Sequence, residues 1–224
     1  TEAEKLPAGL VIRPATAADR VALDEQELGL NLFENALVGD RNITAAGGTA
    51  AMDKLHQRAG DSDGVVLVAE LDGAVIAHLV LTFERFGPFV REELRDYALV
   101  ADLFVREAHR GRGIGRHLIA EAERRAIARG MPRILLGVVY GNHAAERSYR
   151  RQGFGGAVDQ PRQDLGRGYG RGGRSDDLRL CTGAVLAQTQ SAAAPSVDGT
   201  AYGDQHHRRS FRVTAQTAGG FERQ

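Results

Sequence analysis

Apolar and polar positions change their period several times along the chain, and each change marks an element. Leu10 to Arg13 is a short apolar run that Pro14 closes, and Thr16 stands where it can cap a helix carrying Ala17, Val21, Leu23 and Leu28. Leu30 to Thr49 has no clear period, and the Gly47-Gly48 pair reads as a breaker ahead of a second helix around Ala51 to Arg58. Gly64 to Leu71 and Ala74 to Phe83 are apolar runs of strand length. Between them stands Asp72-Gly73, whose tolerance of positive φ predicts a two-residue hairpin turn.

Charged residues and Gly87-Pro88 make Glu84 to Asp96 a loop or short helix before the next strand, Tyr97 to Val105. Past Gly111 to Gly115, the residues Ile114, Leu118, Ile119, Ala122 and Ala126 follow helical spacing, and Gly130 with Pro132 ends that helix. Ile134 to Tyr140 is a continuous apolar run of strand length. Asn142 can cap a last helix, Ala144 to Gln152, that Gly153 stops. The alternation of strand and helix predicts a mixed α/β (α+β) fold whose mainly antiparallel central sheet is flanked by helices and splays near Tyr97 to Val105.

Composition changes after Phe154. Gly166 to Arg174 is a Gly/Arg run, Gln188 to Thr200 is rich in small residues, and only Leu178 to Leu186 and Phe211 to Thr214 have strand character. Residues 1–154 therefore read as one globular domain, and 155–224 as an atypical, partly disordered C-terminal extension. Interleaved Gly, Arg and Tyr169 are also the makings of an RNA-contacting tail, although nine arginines against seven acids after Phe154 leave little net attraction.

Charge and cysteine content narrow the partners. Lys+Arg and Asp+Glu balance at 29 each, so no global field draws the chain to nucleic acid, which is not expected as a partner. No apolar stretch approaches the roughly 18 to 20 residues of a membrane span. The single cysteine, Cys181, has no internal partner, and a cytoplasmic setting is expected. His109, His117, His143 and the pair His206-His207 lack metal-ligand spacing with a carboxylate or cysteine, so no metal site is expected.

The most specific signal is Arg110-x-x-Gly113-x-Gly115 between an apolar strand and a helix. A Gly-rich turn there brings backbone N–H groups and the positive end of the helix to bear on a phosphate. A P-loop is excluded, because Gly115 is followed by Arg116-His117 in place of Lys-Ser/Thr. A Rossmann fingerprint is excluded as well, because Arg116 or Leu118 stands where its last glycine belongs.

Together with Asn142-x-x-Ala145-x-x-x-Tyr149 and Gly153-Phe154, this motif resembles the GNAT acetyltransferase superfamily, over roughly Leu10 to Phe154. The resemblance implies an acetyl-CoA-dependent N-acyltransferase. In it Arg110, Gly111, Arg112, Gly113, Ile114, Gly115 and Arg116 surround the pyrophosphate of acetyl-CoA. Leu103, Phe104 and Val105 offer backbone hydrogen bonds to the pantetheine arm, and Asn142 contacts the cofactor. It also places the Tyr149 hydroxyl near the cofactor sulfur, able to protonate the departing thiolate. The reaction would be direct attack of a small-molecule or peptide amine on the thioester. Ala101 stands where many relatives carry a glutamate base, which leaves the base unassigned and keeps open a non-catalytic acyl-CoA-binding or regulatory role. Asp102 is the nearest carboxylate; on a regular strand it shares a face with Val100 and Phe104 and could equally point into the fold. A homodimer is compatible with all of this.

Overall fold

The computed structural model describes residues 7–155 and the backbone of one further strand, Ala184–Ala187. Six strands form one sheet in chain order: β1 (Leu10–Pro14), β2 (Val65–Leu71), β3 (Ala74–Arg85), β4 (Asp96–Val105), β5 (Ile134–Gly137) and β6 (Ala184–Ala187). Neighbours pair antiparallel except β4 and β5, which are parallel. The expected sheet is therefore present. Asp72 and Gly73 both have positive φ, 51° and 80°, in the tight turn that joins β2 to β3. Of the two strands expected in the tail, one is found at the end of its sequence run, at Ala184–Ala187; Phe211 to Thr214, the Gly/Arg run and Gln188 to Thr200 lie outside the described residues.

Helices α1 (Arg20–Val38) and α2 (Ala45–Asp61) cover one face of the sheet, where Leu23, Met52 and Ala59 pack on Val66, Val68 and Val80. Helix α3 (Ile114–Ala128) covers the other face. Its residues Ile114, Leu118, Ile119, Ala122 and Ala126, the spacing read from sequence, join Leu67, Leu79, Leu81 and Phe154 in the larger cluster. Burying each of the larger side chains contributes roughly 1.5–3 kcal/mol. Helix α4 (His143–Arg151) carries Tyr149 onto the same cluster.

Two expectations are corrected on the α1 side. Gly47-Gly48 does not break a helix but lies in the first turn of α2, where the Thr44 side chain accepts from the Gly47 N–H at 3.0 Å. A Cβ at Gly48 would sit 3.0–3.2 Å from Leu28 and the Asp24 carbonyl, so glycine lets the two helices touch. Helix α1 runs ten residues beyond Leu28, and its buried positions are Leu23, Gln26, Glu27 and Asn31, with Val21 71% exposed. The apolar stripe was misplaced because the buried face of α1 is largely polar. Strand β5 also ends earlier than expected, at Gly137 rather than Tyr140.

The entry to α1 is held by charge. Arg13 donates to both oxygens of Asp19, at 2.8 and 2.9 Å, and to Glu70 at 2.6 Å, while the Thr16 N–H donates to Asp19 at 2.7 Å. Hydrogen bonds from Arg13, helped by Thr16, hold the buried Asp19 carboxyl well below the usual carboxylate range.

Candidate functional site

Strand β4 touches β5 only at Ala98–Val100, opposite Ile134–Leu136, and then continues to Val105 paired with β3 alone. The sheet is open along this edge, where residues 101–105 pair with β3 and with no other described strand. The opening coincides with a bulge: Val100 is opposite Leu81 and Asp102 opposite Val80, so Ala101 is an extra residue. Val100 therefore packs in the α3-side cluster, while Ala101 packs in the α1-side cluster and Asp102 reaches His78. The expectation that Asp102 shares a face with Val100 is corrected; the bulge breaks the two-residue period, and Asp102 lies with Phe104 beneath α1.

At the end of β4 a 3-10 turn, Glu107–His109, leads into the motif loop. Gly111 and Gly113 have φ of 75° and 77°, values that favour glycine, and Gly113 caps α3. The first intrahelical bond of α3 runs from the His117 N–H to the Gly113 carbonyl, so the amides of Ile114 and Gly115 precede it and point along the helix axis. Arg112 and Arg116 are exposed beside them. Ile114 is 2% exposed, which restricts it to a main-chain role toward any ligand. A Cβ at Gly115 would meet only Val105 Cγ2, at an ordinary 3.8 Å, so the fold itself has no steric need for glycine there.

Arg110 folds back. Its Nε donates to the Val105 carbonyl at 3.0 Å, and its guanidinium lies over the rings of Phe33 and Phe104 at 5.3 and 5.8 Å. It braces the loop against α1 and β4. Leu103 and Val105 are half-buried toward the α3 side, and Phe104 is stacked on His78. Asn142 caps α4, its side chain accepting from the Ala145 N–H at 3.1 Å.

Tyr149 on α4 packs beside Phe154 and makes no hydrogen bond through its hydroxyl to another described residue. Burial, then the negative charges of Asp102 and Glu34, push this phenol up to about 12. Glu34 itself is raised by burial, although Arg41 donates to it at 2.7 Å. Residues from α1, β4 and α4 thus meet electrostatically where the sheet opens.

The sequence reading missed the α1 side of this region. Glu27, His78 and Asp102 bring their donor atoms within 4.8 Å of one another, the one such group among the described residues. They come from three elements, so no local spacing announces them. The usable signals were a histidine inside the apolar run of β3 and two adjacent polar residues, Gln26 and Glu27, on the inward face of α1.

The sequence pattern described as Acetyltransferase (GNAT) family matches residues 35–154. Among solved structures, a ribosomal-protein-alanine N-acetyltransferase from Brucella melitensis is 28% identical over 79% of this chain and 96% of that one, with a TM-score of 0.51. A GCN5-related N-acetyltransferase from Ralstonia eutropha JMP134 is 22% identical over 70% of this chain and 100% of its own, with a TM-score of 0.54. The PaiA N-acetyltransferase from Thermoplasma acidophilum, in complex with coenzyme A, is 18% identical over 67% and 92%, with a TM-score of 0.52. No protein of curated function matches the chain. No helix among the described residues is long and apolar enough to cross a membrane.

Proposed function

The chain belongs to the GNAT acetyltransferase family, and from that premise we propose that it transfers an acetyl group from acetyl-CoA to a primary amine by direct attack. The observation that carries the reading is the opening of the sheet between β4 and β5, flanked by the positive-φ turn at Gly111 and Gly113. These residues fit the co-substrate. The amides of Gly111 to Arg116, at the positive end of α3, suit a pyrophosphate, with Arg112 and Arg116 able to add charge-assisted hydrogen bonds. The edge at Leu103, Phe104 and Val105 suits an extended pantetheine arm bound as an added strand. Arg110 then serves mainly by bracing, and Asn142 by fixing the start of α4 beside the cofactor.

In this reading the amine attacks the thioester carbon while main-chain groups of β4 orient and polarise the carbonyl. Tyr149 faces the departing sulfur. Catalysis is a matter of positioning, with no covalent enzyme intermediate. The acceptor is a small-molecule or peptide amine; the name of the 28% identical Brucella protein supports including peptides with a free amino terminus. The catalytic domain is assigned to 1–154 and the extension to 155–224, whose strand β6 completes the sheet of that domain, and the protein to the cytoplasm. Thiol release from acetyl-CoA, measured with simple amines and a short peptide, tests the function. Acceptor-dependent release supports it. Saturable acetyl-CoA binding without release on any amine favours the rival acyl-CoA-binding role, for which Ala101 in place of a glutamate is the motivating residue.

A further inference from the structure

His78 lies wholly buried in the middle of β3, and its partners fix where its protons are. Gln26 on α1 donates its amide N–H to the Val75 carbonyl at 2.9 Å. A carbonyl only accepts, so the atom of Gln26 that faces His78 is its amide oxygen. That oxygen is 2.9 Å from Nδ1, which therefore carries hydrogen, and in the neutral form of the ring the lone pair is on Nε2. Nε2 in turn is 3.1 Å from Oδ1 of Asp102. A gap of hydrogen-bond length separates Nε2 from Oδ1, and a single proton bridges it.

We propose that Asp102 takes the proton of the attacking amine into this gap, and that His78 and Gln26 are positioning residues that hold the gap open. The inference rests on the acetyltransferase reading. It answers the substitution at Ala101: the bulge turns the next residue, Asp102, under α1, where a buried imidazole backs it. The side chain of Asp102 is 12% exposed and that of His78 is 0%, so the carboxylate is the part of the pair that reaches the surface and the ring lies behind it. The Phe104 ring, stacked on His78 with centroids 6.2 Å apart, closes one side. Gly29 on α1 allows this, since a Cβ there would stand 3.1 Å from Phe104.

The charges around the pair come from four directions. Helix α1 supplies Glu27, whose Oε1 accepts from Asn31 at 3.4 Å, and Glu34, which is paired with Arg41 from the α1–α2 connection. Helix α4 supplies Tyr149, and the loop after β4 supplies Arg110 over Phe104. With Glu34 and Arg41 offsetting each other, the carboxyl of Asp102 offers the acceptor toward which a neutral amine can direct its N–H.

The step balances. The amine lone pair forms the bond to the acetyl carbon, and the C–S bond breaks with its electron pair on sulfur. The proton leaving nitrogen settles between Oδ1 and Nε2. Asp102 then returns that proton to solvent, and the thiolate takes one from water on release.

The pH profile of the reaction is the readout that a merely structural role would not move. A carboxylate at Gln26 would favour the charged ring, whereas an apolar residue there would let Nε2 donate to Asp102 and close the gap. Nitrogen NMR of His78, and kcat/KM against pH with acetyl-CoA and butylamine as probes, should therefore move together. The expected result is Nδ1 protonated throughout in the wild type, with the acid limb raised by about one pH unit in Gln26→Glu and lowered in Gln26→Leu. Asp102→Asn should lower kcat by about 100-fold or more with acetyl-CoA affinity within about twofold. An unprotonated Nδ1, an acid limb that ignores Gln26, or a fully active Asp102→Asn would overturn the proposal. So would activity lost to a chelator and restored by a divalent ion. Failure of acetyl-CoA to bind would instead defeat the underlying reading, and the NMR titration would still decide the state of the pair.

Discussion

Replacing Tyr149 by phenylalanine removes one hydroxyl and leaves the ring that packs on Phe154. In the proposed reaction its phenol, pushed up to about 12 by burial and by Asp102 and Glu34, would meet a leaving thiol whose ordinary value is ~8.5 if cysteine is the guide. Complete proton transfer to the thiolate would then run uphill by roughly 3.5 pH units, or ~4.8 kcal/mol. Tyr149 is better suited to donate a hydrogen bond to the developing thiolate than to surrender its proton. A hydrogen bond to a charged group contributes ~1.5–3 kcal/mol, so Tyr149→Phe should lower kcat about 10- to 150-fold. The melting temperature should stay within a degree or two, because the hydroxyl has no hydrogen-bonded partner among the described residues and the ring is retained. Pre-steady-state thiol release with calorimetric binding separates chemistry from affinity. The sign of the pH effect is also fixed. With the folded value raised, the phenol stays protonated until pH approaches 12, so Tyr149 contributes no fall in rate between pH 7 and 10. A loss confined to KM, an unchanged kcat, or an alkaline limb near pH 9 that vanishes in the variant would refute this account of Tyr149.

Two further perturbations test the scaffold. A Cβ at Gly64 would stand 2.1 Å from the Leu81 carbonyl oxygen, so Gly64→Ala should cost ~3 kcal/mol through backbone displacement at the start of β2, measured by urea denaturation; a cost under ~1 kcal/mol would contradict the close approach. Asp19→Ala should cost ~2 kcal/mol at pH 7, less than a fully buried pair because Arg13 is 30% exposed. Since the Asp19 carboxyl is held below its ordinary value, its contribution is full above about pH 4 and is lost as pH falls further. The gap between wild type and variant should therefore narrow as pH falls from 4 toward 2, and a gap that stays constant over that range would contradict the assignment.

Much of the fold was legible because its signals are local. The Asp72-Gly73 turn, the helical spacing from Ile114 to Ala126 and the Asn142 cap each need only a few neighbouring residues to be read. The motif loop was legible for the same reason: two glycines at positive φ between a strand and a helix form a pattern within seven residues. What escaped depended on distant pairing. Gly47-Gly48 breaks a helix by propensity, yet α1 packs against it and the Thr44 cap starts the helix ahead of it. The bulge at Ala101 is set by the register with β3, which the sequence of β4 alone does not contain. That one residue changes the face on which Asp102 lies. Gln26, Glu27 and His78 were hidden because polar side chains on inward faces look like solvent-facing ones until the elements are assembled.

The central claim is that the turn at Gly111 and Gly113 and the open edge of β4 bind acetyl-CoA. Calorimetric titration of acetyl-CoA into the wild type and into Gly113→Glu addresses it most directly. The substitution places a carboxylate at the head of α3, on a residue whose φ is 77°, where it would repel a pyrophosphate. The account predicts saturable one-to-one binding to the wild type and its loss in a variant that remains folded by circular dichroism. No binding to folded wild type, or equal binding to both proteins, would contradict it.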